Sequence, residues 1–466
     1  VRTMRVVDEL IRLLGVENVK FDPEELEKYS HDETSGVEAQ IPLAVVFPTS
    51  TEQVSMILRW ANERRVPIVP RGAGTGLSAG AVPTKDSIVV SLERMNRIVE
   101  FDEENMTITV EPGVITGEIQ KIAEEHGLFY AGDPASSESS SIGGNVAENA
   151  GGVKVIKYGP TSFHVLGLEV VLPTGEIVTF GGKTLKNVTG YDLVRLFVGS
   201  EGTLGIVTKI ILRLVPKSKC TAVLLVPFRD IEDALLCVPK VLSQSGVLPA
   251  SIEFMDKASS EMASRFLNES IPNPEAECHL IFELESTSKQ SLTREYIELG
   301  EKLMQMKALE VYIADSRTQR MKIWRFRKAI AEGIIAFRPT HCMEDVVVPT
   351  ANMPKLVVSA YDIARRFDLE VLNFGHVGDG NVHVTFLKPD GMSDDVWKRS
   401  LEKALEELYK ITVQLEGNLT GEHGVGLKRK KYLSMFLQEK ELALMRSIKR
   451  LFDPNNILNP GKIFPD

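Results

Sequence analysis

The stretch Pro70-Arg71-Gly72-Ala73-Gly74-Thr75-Gly76-Leu77-Ser78-Ala79-Gly80 follows a short apolar run at residues 66–69. Its alternate glycines leave several backbone N–H groups able to converge on an anion. It bears a superficial likeness to the dinucleotide fingerprint G-x-G-x-x-G, but the third glycine would fall on Leu77. Pro83 and a further apolar strand at residues 87–91 come next, rather than a helix whose N-terminus could hold a pyrophosphate. The loop therefore reads either as an anion nest without a helix or as a tight surface turn.

Two more glycine-dense stretches lie downstream. Residues 132–152 are rich in Ser, Gly and Asn and offer little to bury, which is the composition of a linker. Ile142, Val146 and Ala147 punctuate them, however, and the asparagines point to ordered backbone. Gly199-Ser200-Glu201-Gly202-Thr203-Leu204-Gly205-Ile206 leads straight into a strand. Three such segments in one region suggest a long, extended cofactor lying along the backbone.

Around these loops the pattern is α+β. An amphipathic helix is expected at residues 2–14, a strand at 43–47, and a helix at 51–63 entered through a capping box of Ser50 and Gln53. Strands at 87–91 and 107–111, a helix at 116–126, a hairpin at 167–180 and a strand at 206–214 complete the first region, residues 1–217. Beyond Lys219 the order strand–helix–strand occurs twice, at 223–226, 231–242 and 251–254, then at 279–284, 292–306 and 309–313. That is the ferredoxin-like split pattern. A helix at 317–337, a strand at 345–348 and helices at 353–367 and 394–415 follow. The expected domains are 1–217, 218–417 and a C-terminal segment, 418–466, whose turn-rich end docks on folded structure.

Composition narrows the function classes. The 466 residues carry 54 Lys plus Arg against 64 Asp plus Glu, a net charge of -10, which argues against general electrostatic binding to nucleic acid. The dense basic run Lys428-Arg429-Lys430-Lys431 reads as the solvated start of a helix, with docking to an acidic partner as the alternative. Four scattered cysteines without C-x-x-C argue against a disulfide scaffold, a zinc ribbon or an iron–sulfur cluster within the chain and point to a reducing, cytoplasmic setting. There is no apolar run long enough to span a bilayer and no secretory segment, so any membrane association is expected to be peripheral, through a partner. The chain opens at Val1 rather than Met, which leaves a removed leader or alternative start open.

The second half holds Asn373-Phe374-Gly375-His376-Val377-Gly378-Asp379-Gly380-Asn381-Val382-His383-Val384. After the Gly378–Gly380 turn, Asn381, His383 and Thr385 share one strand face, and Val382, Val384 and Phe386 the other. His376 sits on the opposite arm, so two imidazoles can converge on an ion. Gly421-Glu422-His423-Gly424 offers a carboxylate beside a third histidine. Two histidines and one carboxylate with open positions form a catalytic metal pattern. The alternative is three hydrogen-bonded histidines in turns.

The three glycine-dense segments, with Lys186-Asn187-Val188-Thr189-Gly190-Tyr191-Asp192-Leu193, closely resemble the flavin-binding domain of the vanillyl-alcohol-oxidase (p-cresol methylhydroxylase, PCMH) superfamily. The branch is that of FAD-linked D-lactate dehydrogenases and glycolate oxidase D-subunits, which also holds D-2-hydroxyglutarate dehydrogenases. The resemblance covers nearly the whole chain. It implies a PCMH-type FAD-binding domain, a ferredoxin-like cap and a C-terminal segment that packs back on the FAD domain. It implies that Pro70, Arg71, Gly72, Ala73, Gly74, Thr75, Gly76 and Gly80 lie by the FAD pyrophosphate. Pro134, Ser137, Gly143, Gly144, Asn145, Asn149 and Gly151 would line the flavin and ribityl chain, and Glu201, Gly205 and Ile206 the adenosine half. The first loop carries Thr75 and no histidine for covalent attachment, so FAD is expected to be non-covalent.

By the same resemblance His376, His383 and Glu422 hold a divalent metal, zinc first, with manganese or iron as alternatives, and His423 is the catalytic base. Arg327 matches the position that meets the substrate carboxylate, against a surface ion pair on its helix; Asn381 and Thr385 line the pocket. Thr385 stands where the hydroxyglutarate enzymes have asparagine, which favours a small D-2-hydroxy acid, D-lactate or glycolate. Electrons would leave to an electron-transfer flavoprotein, an iron–sulfur subunit or a quinone. The competing readings are a hydroxyglutarate-type dehydrogenase, an oxygen-reducing oxidase, a nicotinamide-dependent cell-wall reductase of the same flavin fold, and a structural electron-transfer subunit with a vestigial site.

Overall fold

The computed structural model describes residues 2–465. The chain forms two compact units. One comprises the residues up to Gly151, Gly159–Lys217 and the segment from Glu422 onward; the other comprises Gly152–Tyr158 and Ser218–Gly421. Val1 and Asp466 lie outside the described residues.

In the first unit, strands β1 (Val19–Lys20), β2 (Ala44–Val46), β3 (Ile68–Arg71) and β4 (Ile88–Ser91) form a sheet in the order β1-β2-β4-β3. β2 and β3 both run parallel to β4. The central strands read as unbroken apolar runs because both their faces are covered. Helix Thr51–Arg64 makes the crossover that parallel pairing requires. Ser50 accepts from the Gln53 N–H at 3.3 Å, but the return arm of the expected capping box lands one residue early, with Gln53 Oε1 accepting from the Thr49 N–H at 2.7 Å. β3 starts at Ile68, two residues later than the apolar run suggests. Its register is set by β4 and by the C-terminal tail: the Ile68 N–H donates to the Ile457 carbonyl at 2.7 Å, and the Asn459 N–H to the Ile68 carbonyl at 2.7 Å. Ile457 and Leu458 enter the same apolar core as Ile57, Leu58 and Ile88.

A second sheet contains β5 (Ile98–Asp102) and β6 (Thr107–Val110). After a short strand β7 (Leu128–Phe129), it continues with β8 (Val165–Val171), β9 (Ile177–Gly181) and β10 (Ile206–Arg213). Its order is β5-β6-β10-β8-β9, all antiparallel, while β7 pairs with β11 (Val215–Pro216). The linker-like stretch 132–152 contains a helix, Ile142–Glu148, that composition did not announce. Ile142 and Val146, one turn apart, are buried in the core of this second sheet. That burial offsets the cost of two glycines in the helix. Asn149, at φ 54°, ends it in the left-handed region.

In the second unit, strands β12 (Cys220–Phe228), β13 (Ser251–Asp256), β14 (Cys278–Ser286), β15 (Tyr312–Ala314), β16 (His341–Val347), β17 (Glu370–Gly375) and β18 (Asn381–Leu387) form one antiparallel sheet. The order is β15-β12-β14-β13-β17-β18-β16. Its first four strands follow the ferredoxin-like arrangement, extended by the β17–β18 hairpin and β16. Helix Arg317–Phe337 and an unanticipated helix, Lys257–Leu267, pack against one sheet face through Phe326, Ile330, Ile334 and Ala263 onto Met255, Ile281 and Phe374. Among the described residues no helix is long and apolar enough to cross a membrane.

Candidate functional site

The first unit brings the glycine-dense segments together. The 71–80 loop leaves the end of β3, and the Ala73 N–H donates to Ser141 Oγ at 3.3 Å. A β-carbon on Gly72 would collide with that hydroxyl and stand 3.6 Å from the Gly144 nitrogen, so backbone meets backbone here. Arg71 is buried beneath Tyr29, 5.4 Å from its ring centre, and donates to the His31 carbonyl at 2.6 Å. Burial lowers its pKa, although the Asp32 carboxylate works against that. The Ser137 N–H closes a turn onto the Pro134 carbonyl at 2.9 Å, Asn145 Nδ2 donates to Thr116 Oγ1 at 2.6 Å, and Asn149 Oδ1 accepts from the Ser162 N–H at 2.8 Å. Such close-packed glycine backbone, with the Ser78 hydroxyl buried and unpartnered among the described residues, fits an extended cofactor that takes hydrogen bonds from main chain.

The three residues expected near the adenosine half are otherwise engaged. The buried Glu201 carboxylate accepts the N–H groups of Val425 at 2.8 Å and Gly426 at 2.7 Å. Its pKa is raised by burial, against the pull of those two bonds. Ile206 lies in the apolar core and Gly205 packs against Val170 and Phe197, so these two offer a cofactor only main chain. Glu148 is part-exposed as a residue, but its Oε2 is buried without a partner among the described residues; burial, then the carboxylates of Glu201 and Asp32, push its pKa well up. Lys462 donates to the Gly80 carbonyl at 2.5 Å and the Val82 carbonyl at 2.8 Å, and burial lowers its pKa to about 7.

Within the basic run, Arg429 departs from the expected solvated face. Arg429 is 1% exposed and donates to the carbonyls of Leu77 at 3.2 Å and Gly424 at 3.1 Å. Glu422 and His423 lie in this unit, with His423 Nε2 3.7 Å from Glu422 Oε1. Glu422 rests against Gly151, where a β-carbon would collide with its Oε2.

In the second unit, strand register builds a polar row. β16 sets Asp345 opposite His383 and Met343 opposite Thr385; β17 sets Phe374 opposite His383 and Leu372 opposite Thr385. Residues paired in this way share a sheet face. The rings of His376 and His383 meet edge to face, 5.2 Å apart at 88°. Asp345 is buried and accepts from Asn381 Nδ2 at 2.7 Å, Thr420 Oγ1 at 2.7 Å and the Gly421 N–H at 3.0 Å. Glu253, 0% exposed, accepts from His376 Nδ1 and from Arg327 Nε, each at 2.8 Å.

Arg327 is thus no surface ion pair: it is 8% exposed, and its guanidinium lies 4.9 Å from the Phe374 ring centre. Its terminal nitrogens make no hydrogen bond among the described residues. The oxygens Thr385 Oγ1 and Asn381 Oδ1 are likewise buried without partners among the described residues. Nitrogen and oxygen donors beside unsatisfied oxygens fit a divalent metal with a small polar ligand.

Sequence reasoning missed Glu253 and Asp345. Each is a buried acid in a core strand, Ser251–Asp256 and His341–Val347, and acids at core positions are themselves the signal.

Residues 42–181 match the FAD binding domain family, and residues 217–463 match the FAD linked oxidases, C-terminal domain family. The chain is 39% identical over 464 residues to the glycolate oxidase subunit GlcD of Bacillus subtilis (strain 168), covering 99% of this chain and 97% of that protein. It is 37% identical over 463 residues to the D-lactate dehydrogenase of Archaeoglobus fulgidus, 99% of each, and 36% identical over 464 residues to the D-2-hydroxyglutarate dehydrogenase of Stutzerimonas stutzeri (strain A1501), 98% of each. Substrate-bound p-cresol methylhydroxylase shares the fold, with a TM-score of 0.82 at 20% identity over 99% of this chain and 97% of that one.

Proposed function

Because the chain belongs to the family of FAD-linked oxidases, we propose that it oxidises a small D-2-hydroxy acid, D-lactate or glycolate, to the 2-oxo acid. In this reading His376, His383 and Glu422 are ligands of a divalent metal, zinc in the first instance, and His423 is the base. The observation that carries it is the paired imidazoles of His376 and His383, with His376 joined through Glu253 to buried Arg327, whose terminal nitrogens make no hydrogen bond among the described residues. FAD bound here would supply the hydride acceptor, and a metal held by these residues would supply a Lewis acid for the substrate hydroxyl.

The chain's own residues do the rest. Arg327 grips the substrate carboxylate with its planar fork. His423 accepts the hydroxyl proton. Asn381 and Thr385 line the pocket. Residues 70–76 and Gly80 hold the pyrophosphate; Pro134, Ser137, Gly143, Gly144, Asn145, Asn149 and Gly151 hold the flavin and ribityl chain; Glu201, Gly205 and Ile206 flank the adenosine half. FAD is held without a covalent bond, since the 71–80 loop has no histidine. Residues 1–217 with the C-terminal segment 418–466 act as the FAD-binding domain and 218–417 as the cap. The electrons would leave to a partner acceptor: an electron-transfer flavoprotein, an iron–sulfur subunit or a quinone.

A longer dicarboxylic substrate is the second reading, which the Stutzerimonas relative brings. Against it, the cross-strand neighbours of Thr385 are Met343 and Leu372, neither of them a cation for a second carboxylate.

The test is anaerobic flavin bleaching with 2-hydroxy acids of both hands, with and without chelator. D-lactate or glycolate should bleach the flavin, and chelator should abolish the effect. His423→Ala should keep yellow FAD and metal and lose about 10²–10⁴-fold in turnover. Turnover near wild type would remove His423 from the role of base.

A further inference from the structure

We propose that Glu253 is a positioning residue that sets two functional groups at once, the metal-binding face of His376 and the carboxylate-binding fork of Arg327. The inference rests on the reading above, in which His376 is a ligand and Arg327 a clamp. Glu253 sits in β13 with no exposed surface, and its two oxygens are divided: one accepts from His376 Nδ1, the other from Arg327 Nε, both at 2.8 Å. An ionised carboxylate can only accept hydrogen bonds. In the neutral imidazole the proton is therefore held on Nδ1 and the lone pair falls on Nε2. On the arginine side, bonding through Nε engages the edge of the guanidinium and leaves the two terminal nitrogens for a ligand carboxylate. Phe374 lies against the guanidinium, 4.9 Å from ring centre to Cζ, and limits its rotation. One buried acid thus fixes a tautomer and a fork in a common frame.

Glu253→Gln separates this from simple filling of space. The side chain keeps its size, but an amide has one acceptor oxygen and a donating NH₂. If the oxygen stays with Arg327, the NH₂ faces His376 Nδ1 and drives the ring proton to Nε2, the ligating nitrogen. The proposal expects FAD content as in wild type, metal affinity in a chelator competition weakened about 10–100-fold, and a raised KM for D-lactate or glycolate. With the metal restored by excess zinc, KM should stay raised, because the arginine remains misaligned. Glu253→Asp, which keeps the charge but withdraws it by one methylene, serves if the glutamine variant does not fold, and should show the same two defects in weaker form. His383→Ala is run beside them. If His383→Ala loses metal while the Glu253 variants match wild type in metal affinity and KM, the role of Glu253 is wrong and the metal site stands. If His383→Ala retains full metal, the underlying reading fails.

Discussion

His383 on β18 stands directly opposite Asp345 on β16, with its Nδ1 3.7 Å from the aspartate Oδ1. The same buried carboxylate gathers Asn381, Thr420 and the Gly421 N–H, so one side chain ties the histidine's surroundings to the 417–421 turn. Asp345→Asn places an amide where donors converge. It should cost about 1–3 kcal/mol in stability through unsatisfied donors and weaken metal retention about 10–100-fold. Thermal melts and elemental analysis check both; wild-type metal content in a destabilised protein would limit Asp345 to a structural part.

The Thr385 hydroxyl is buried and has no hydrogen-bond partner among the described residues, which is costly unless a ligand supplies one. Thr385→Val keeps the shape and removes the unsatisfied group. The variant should be at least as stable as wild type, while KM for the hydroxy acid rises several-fold, on the order of 1 kcal/mol of lost binding. A lower melting temperature with unchanged KM would show that the hydroxyl serves the fold and not the substrate.

Gly151 allows Glu422 to approach main chain. A β-carbon there would collide with Oε2 and stand 3.0 Å from the glutamate's own Cβ, so turning the carboxylate does not relieve the clash. Gly151→Ala should cost about 1–3 kcal/mol by overpacking and displace Glu422. If Glu422 is a ligand, metal is lost, and titration with chelator would reveal it; tight metal in Gly151→Ala would argue that Glu422 is not needed.

Lys462 gives a pH signature. Burial lowers its pKa from 10.5 to about 7, although the carboxylates of Asp32, Glu148 and Glu201 oppose the shift. Between those values the unfolded chain holds a proton that the folded chain has released, so this group's contribution to stability increases with pH. Lys462→Met leaves the carbonyls of Gly80 and Val82 without their donor and should cost about 1–3 kcal/mol. The melting-temperature gap between wild type and Lys462→Met should widen from pH 7 to pH 9. A gap that narrows over this range would contradict the assignment.

Much of this was legible before any coordinates. The three glycine-dense segments announced backbone-bound cofactor chemistry because alternate glycines expose N–H groups locally. Alternation from Asn381 to Thr385 placed His383 and Thr385 on one face because strand geometry has a period of two. The ferredoxin-like order showed in two strand–helix–strand runs. Helix Ile142–Glu148 did not show, because its stability comes from Ile142 and Val146 entering a distant core rather than from helix propensity. Nor did the burial of Arg429, since the carbonyl of Leu77 that it meets lies hundreds of positions earlier.

The sequence by itself determined the residue types of the site, the local turns that present His376 and His383, and the family. Only the tertiary structure decided that Asp345 faces His383 and that Glu253 joins His376 to Arg327. Those pairings depend on the register between strands and on how helix Arg317–Phe337 packs on the sheet. Both are settled by burying apolar surface over the whole unit, which no local pattern encodes.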